Sequence, residues 1–455
     1  MKHGPTILAS RVAAASALAA AALALPAAIA QRGASPTPSP LVQQRYLVTK
    51  FPDKPSIPPA FSIPLDPLGY TAPGAIYLGA RYTLASLDFL SEDRLLFTFR
   101  VPGLLHRDTA NGEDSDERQI RAVVLALPQG TVTAEASWTL HDRTRYLWTL
   151  NNGHFLLRDR NEIREGDATL TLKPVLDFPG SLLSLQFDPA QQLMVTNSRE
   201  PAAAQPKAAP ADHLSLVPDP STASATVTTD EDSDAPANAP PELVVRILRR
   251  DSGQVMLVSR VHSTVHLPIN STGYVEDLRG QNTGWLLNFN YFSGGSKILA
   301  NVDSTCAPDD EFLSEHEILV TGCGPNGESK LFAMTTEGKT LWASQAPSTE
   351  VWPHLTVAPS GLRLAWATLD IGHSVDSFAP MDSVDVKEQS VTVFDAATGD
   401  IVLVSPLSPI LDSGGNVAIS PSGRRVAILN DGAIQIFDLP APPPLPVSTT
   451  QNLPK

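Results

Sequence analysis

The chain closes with ISPSGRRVAILNDGAIQIFDLP, residues 419–440, where two short apolar runs flank an Asn-Asp-Gly turn and follow Ser-Pro-Ser-Gly. An apolar run, a short polar turn and a second apolar run make the pattern of a β-hairpin. The pattern recurs at residues 87–99 (LDFLSEDRLLFTF), 147–159 (LWTLNNGHFLLRD) and 185–197 (LQFDPAQQLMVTN), and in VAPSGLRLAWATLD around Gly361. A second hairpin type turns at Gly130, Gly253, Gly338 and Gly399, where glycine supplies the positive φ that other residues resist. The two types alternate. Asp93 and Gly130 are 37 positions apart, and Gly361 and Gly399 are 38 apart. Gly338 to Gly399 is 61 and Gly361 to Gly423 is 62, so both markers shift together between the last two units. The chain therefore reads as a series of two-hairpin, four-strand antiparallel units, the last of which stops after three strands.

Repeated four-strand units on this scale are blades of a β-propeller. The SPSGRRVAIL segment resembles the inner-strand turn of WD40-like and YVTN-like propellers. VFDAATGDIVL and FAMTTEGKTLW resemble the outer hairpin of those repeats and of quinoprotein-type repeats. The likeness runs in patches over most of residues 84–439. It lacks the Trp-Asp dipeptide of true WD40 repeats and the vicinal cysteines of quinoprotein alcohol dehydrogenases, so it implies a fold and no activity. The expectation is all-β, a single propeller over residues 42–440. Without residues 201–240 that span gives seven blades, within a range of six to eight, at ~45–50 residues each. The last unit lacks its outermost strand. YLVTK (46–50) or AIYLGARYTL (75–84) is expected to supply it and close the ring, leaving no open edge. FPDKPSIPPAFSIPLDPLG (51–69) holds too much proline for a central strand and reads as an extended surface wrap.

Residues 1–30 read as a signal peptide: Lys2, His3 and Arg11, an apolar run from Val12, then LPAAIA with Ala28 and Ala30 before Gln31. Export to the periplasm or the extracellular space is expected, with no transmembrane span after cleavage. Residues 31–41 form a flexible lead and 441–455 a Pro-rich tail. Residues 201–240 hold eleven Ala, seven Pro and no aromatic residue, and read as a disordered acidic insert within a blade. A net charge of −15 repels phosphate backbones and excludes nucleic acid as a partner. A monomer is expected. Cys306 and Cys323, the only cysteines, are expected to form a disulfide in an oxidising compartment.

No nucleophile elbow, phosphate loop or zinc-helix motif is present, so no catalytic residue, cofactor or metal is assigned. His262 and His266 in VHSTVH read as an ordinary strand face, and DTANGEDSDERQ (108–119) as a solvated loop. Arg145, Tyr146 and Trp148 in HDRTRYLW form a positive, aromatic cluster suited to an anionic or sugar ligand. Trp285 and Tyr291 in GWLLNFNYF form a second candidate contact. The functional expectation is a non-catalytic binding or scaffold module for a protein, peptide or glycan. One alternative is an envelope hydrolase, lyase or oxidoreductase with its site at the channel mouth; another is a purely structural surface protein. Asp, Glu, His or Arg converging on the channel would favour the enzyme, and a channel of small apolar side chains would count against it.

Overall fold

The computed structural model describes residues 45–46, 50–73, 83–103, 106–107, 116–141, 145–201, 217–218, 242–261, 263–280, 284–371 and 385–442. Seven antiparallel sheets with four principal strands each are arranged as a β-propeller. Blade 1 comprises Ala85–Ser91, Arg94–Arg100, Asp116–Ala126 and Thr131–Leu140. Blade 2 follows with Leu147–Thr149, Phe155–Asp159, Glu162–Gly166 and Lys173–Asp177. Blade 3 is Ser181–Phe187, Leu193–Glu200, Glu242–Arg249 and Val255–Val261. Ile269–Asn270, Gly273–Arg279, Trp285–Tyr291 and Ser296–Val302 make blade 4. Blade 5 contains Asp309–Ser314, Glu317–Cys323, Ser329–Thr335 and Thr340–Ala346. Glu350–Val357, Arg363–Asp370, Glu388–Asp395 and Ile401–Pro406 build blade 6. Blade 7 takes Val417–Ile419, Arg425–Asn430 and Ala433–Asp438 from the end of the chain and Phe61–Pro64 from its beginning.

The first strand of each blade is the innermost. First strands lie against one another around the centre between blades 1 and 2, 4 and 5, 6 and 7, and 7 and 1, and Leu87 N–H donates to Gly415 O at 2.8 Å, tying blade 1 to the loop leading into blade 7. Second strands lie between their neighbours, and RLAWATLD in blade 6 is buried at seven consecutive positions. The core lies between blades. Phe97 and Phe99 pack with Ile434 and Ile436 between blades 1 and 7, and Trp342 stacks on Phe394 at 6.1 Å between blades 5 and 6. The outer-hairpin glycines take the φ their turns require, 68° at Gly130 and 69° at Gly399.

The closing strand corrects the sequence expectation. Blade 7 is completed by Phe61–Pro64, antiparallel to Ala433–Asp438 with Ile63 opposite Ile434, and this strand comes from the Pro-rich stretch read as a wrap. Its position resolves the conflict. An outermost strand needs backbone donors on one side only, so Pro64 can end it without breaking a ladder. Ile63 supplies the one deeply buried side chain of the strand. Arg45–Tyr46, where YLVTK begins, instead adds a short parallel strand to the outer edge of blade 5. AIYLGARYTL falls largely outside the described residues.

The Ala/Pro-rich segment joins the second and third strands of blade 3, which pair directly from Leu193↔Arg249 to Glu200↔Glu242. Apart from Val217–Pro218, a short strand beside Val255–Val261, most of its expected disorder lies outside the described residues, as do the signal peptide, the lead and most of the tail. Cys306 and Cys323 are joined (S–S 2.06 Å, Cα–Cα 5.5 Å). The bridge staples the inner hairpin of blade 5 at its base.

Candidate polar channel site

The inner strands start at one end of the channel, and that end is charged. In blade 1, Asp88 faces Leu96, the third residue of the second strand; in blade 5, Glu311 faces Leu319, the third residue of its own second strand. The two carboxylates thus occupy the same register position on blades nearly opposite across the ring. Arg145, on the segment leading into blade 2, feels both charges. The residue is exposed, yet surrounding protein desolvates its guanidinium, as befits a side chain that lines an open channel. Glu311 shares that combination.

Local contacts aim Arg145. Its Nε donates to Leu147 O at 3.1 Å, and its guanidinium lies 5.4 Å from the Trp148 ring centroid. Arg158 lies 5.7 Å from the same ring and donates to Leu182 O and Leu183 O of blade 3. Trp148 is thus a buried ring with both guanidiniums within cation–π reach. Tyr146 is buried at 2% exposure and its hydroxyl is 2.9 Å from Thr98 Oγ1, which makes it blade packing. Trp285 begins the third strand of blade 4, so it shares the channel-mouth end but stands two strands out, about 10 Å from the inner strand; Arg279 lies over its ring at 5.7 Å. Tyr291, at the other end of the same strand, is about 20 Å away from Trp285 and packs edge-on against Phe289. Of the five residues singled out, the structure brings Arg145 and Trp148 together and holds the other three apart.

Residues the motif search did not single out complete the site. Burial pushes the Asp88 carboxyl up to about 7, against the pull of the Ser86 hydroxyl and Arg145; Ser86 Oγ donates to Asp88 Oδ2 at 2.6 Å. Burial and the Arg145 charge push His354, on the inner strand of blade 6, down to about 4, so its imidazole is neutral at pH 7. Gly414 (φ 72°) lies so close to that ring that a Cβ there would collide with it. Only glycine allows the loop of blade 7 to close over His354.

His266 lies on the loop leading into blade 4, not on a strand face; His262 lies outside the described residues, as does most of the 108–119 loop. Gln186 of blade 3 accepts from Leu267 N–H through Oε1 at 3.0 Å, so its amide nitrogen faces His266 Nδ1. That ring nitrogen accepts, and the proton sits on Nε2, which donates to Asp310 O at 2.5 Å beside Asp309 Oδ1 at 3.2 Å. One imidazole therefore bridges blades 3, 4 and 5. Among the described residues no group of three or more His, Cys, Asp or Glu side chains is arranged to hold a metal ion.

No family model matches the chain, and no curated protein matches it. The chain is similar to solved structures at low identity. The propeller domain of the Trilobed protease from Pyrococcus furiosus is 11% identical, with a TM-score of 0.42 over 79% of this chain and 94% of that one. Oligogalacturonate lyase from Vibrio parahaemolyticus is 10% identical, with a TM-score of 0.41 over 78% and 97%. Acylaminoacyl peptidase from Pyrococcus horikoshii is 9% identical, with a TM-score of 0.42 over 76% of this chain; the match spans 49% of that enzyme.

Proposed function

We propose that the protein is an exported propeller that binds a polar ligand, a peptide or glycan segment, at the mouth of its channel. The observation that carries this reading is the convergence of Asp88, Arg145, His266, Glu311 and His354 on one end of the channel, where Arg145 and Glu311 stay open to water. Export is supported by the signal-type leader and by the Cys306–Cys323 bridge; among the described residues no helix is long and apolar enough to cross a membrane. Two experiments test the reading. Secretion of the full-length chain followed by N-terminal sequencing should find Gln31 first. Screening the purified protein against short peptides and oligosaccharides should yield binders that Arg145→Ala or Glu311→Gln alters; binders indifferent to both changes would place the site elsewhere.

An enzyme at the same mouth is the second reading, favoured by His354 and Asp88. Both feel the Arg145 charge, and a neutral imidazole and a carboxyl pushed up to about 7 around one guanidinium offer a base and an acid at the same mouth. Turnover of a bound glycan or peptide, lost in His354→Gln with binding retained, would select it.

A further inference from the structure

Arg145 lies within range of side chains from three other blades. It precedes the first strand of blade 2, yet it feels the charges of Asp88 in blade 1 and Glu311 in blade 5, and His354 in blade 6 feels its charge in turn. Only a position near the channel axis reaches blades so far apart around the ring. The guanidinium is held there from behind: Nε donates to Leu147 O at 3.1 Å and the Trp148 ring lies at 5.4 Å. Its two terminal nitrogens have no hydrogen-bond or ion-pair partner among the described residues. Asp88 and Glu311 do not serve as one, because no ion pair joins either to Arg145, and Asp88 Oδ2 is turned to the Ser86 hydroxyl. Burial pushes both carboxyls up, Asp88 to about 7, and pulls the guanidinium down. The cation at the mouth is therefore short of a counter-ion.

Resting on the reading that the channel mouth binds a ligand, we infer that this ligand is a peptide presenting a carboxylate, received by the two terminal nitrogens of Arg145. With Nε spent on Leu147 O, the end of the guanidinium fork is the edge left to pair with two carboxylate oxygens. The rings next to Arg145 offer a sugar no open face, since Trp148 is 7% exposed and Tyr146 2%, which favours a peptide over a glycan. A chain of net charge −15 repels an acidic peptide at long range, so general attraction cannot imitate this binding. An ionised Asp88 competes with the ligand for Arg145, and Glu311 acts in the same sense, so binding tightens as pH falls through 7. His354, pushed down to about 4, stays neutral across that range. Asp309 and His266 act on Glu311, and Arg158 shares the Trp148 ring.

The test is isothermal titration of the full chain at pH 6 and pH 8 with acetyl-triglutamate amide, acetyl-triglutamine free acid, acetyl-triglutamine amide and a uronic acid trisaccharide. The first carries side-chain carboxylates, the second a terminal one and the third none. One or both of the first two should bind saturably, the tighter identifying the source of the carboxylate, and the amide of triglutamine should not bind. Binding should be tighter at pH 6 by roughly tenfold, and Asp88→Asn should reduce that difference. Arg145→Gln and Arg145→Lys should each weaken it by about tenfold or more, with melting temperatures reporting that the variants fold. The comparison among peptides uses the parent protein and stands whether or not they do. Glu337→Gln, on an exposed turn at the opposite end of blade 5, should leave binding unchanged. Equal binding of the uncharged amide would overturn the carboxylate assignment, as would carboxylate-dependent binding indifferent to both Arg145 variants. Trisaccharide binding without peptide binding would overturn the peptide assignment. Failure of all four probes beside another binder that Arg145→Ala or Glu311→Gln alters would overturn this inference and leave the channel reading in place. Failure with no such binder would remove both.

Discussion

Replacing Asp88 by Asn removes a charge that the fold holds at a loss. A free aspartate titrates at about 4, and in the folded protein burial pushes Asp88 up to about 7. The folded state therefore binds this proton more tightly than the unfolded state does. Stability from this group is fully present below about pH 4 and is lost as pH rises toward 7. Three pH units at 1.36 kcal/mol each amount to about 4 kcal/mol of penalty on the ionised form at pH 8. Asn is close to the protonated carboxyl in shape, and the Ser86 hydroxyl that donates to Asp88 Oδ2 can donate to an amide oxygen instead. The attraction of Arg145 already opposes the upward shift, so it needs no separate correction.

Asp88→Asn should therefore match the parent in stability at pH 4 and exceed it by about 4 kcal/mol at pH 8. Urea unfolding at four or five pH values reads the difference. Glu350, pushed to about 7, and Asp277, pushed to about 6, titrate in the same window, but they are common to both proteins and cancel in the comparison. A stability difference that stays constant with pH, or a variant weaker than the parent at pH 8, would refute the claim that Asp88 is desolvated at the channel wall.

Four further outcomes are expected. The double change Cys306→Ser with Cys323→Ser opens the bridge at the base of the blade 5 inner hairpin and should lower stability by about 3 kcal/mol in urea titrations. Gly414→Ala, with φ at 72° and its new methyl against the His354 ring, should cost about 1–3 kcal/mol in thermal melts and displace the imidazole, seen as a moved His354 resonance. Arg363→Met strands the buried Asp395 carboxylate and releases Pro440 O from its 2.8 Å bond; a loss of about 3–5 kcal/mol is expected from denaturation midpoints. Tyr146→Phe removes only the bond to Thr98, about 1 kcal/mol, and should leave ligand titrations unchanged; a loss of binding would return Tyr146 to the site.

The blades were legible where a hairpin keeps its local rules. The five inner hairpins read from the sequence are those of blades 1, 2, 3, 6 and 7, and all four glycine-turned hairpins are outer hairpins. Arg145 and Trp148 were found because a cation and an indole three positions apart stand out in a linear reading. The closing strand was misassigned because FSIP is apolar at alternate positions but sits among prolines, and only its place at the edge of blade 7 makes those prolines harmless. Asp88 and His354 gave no signal. Each is one polar residue in a short strand, and a linear search cannot see that they share a channel end with a residue from blade 2.

The two inner hairpins that escaped the sequence reading are those of blades 4 and 5, and they failed for one physical reason. Blade 4 begins with His266 and Pro268 ahead of a two-residue strand, and blade 5 begins Asp309-Asp310-Glu311. In the other blades that stretch is apolar enough to announce a strand. Here the apolar code has been displaced by groups that cost stability when buried, and the disulfide at Cys306–Cys323 holds the hairpin that carries them. Where local propensity and global fold disagree, function is the usual cause. An inner strand that holds a buried aspartate where blades 1, 3 and 6 hold leucine weakens its own packing, and the Cys306–Cys323 bridge offsets part of that loss.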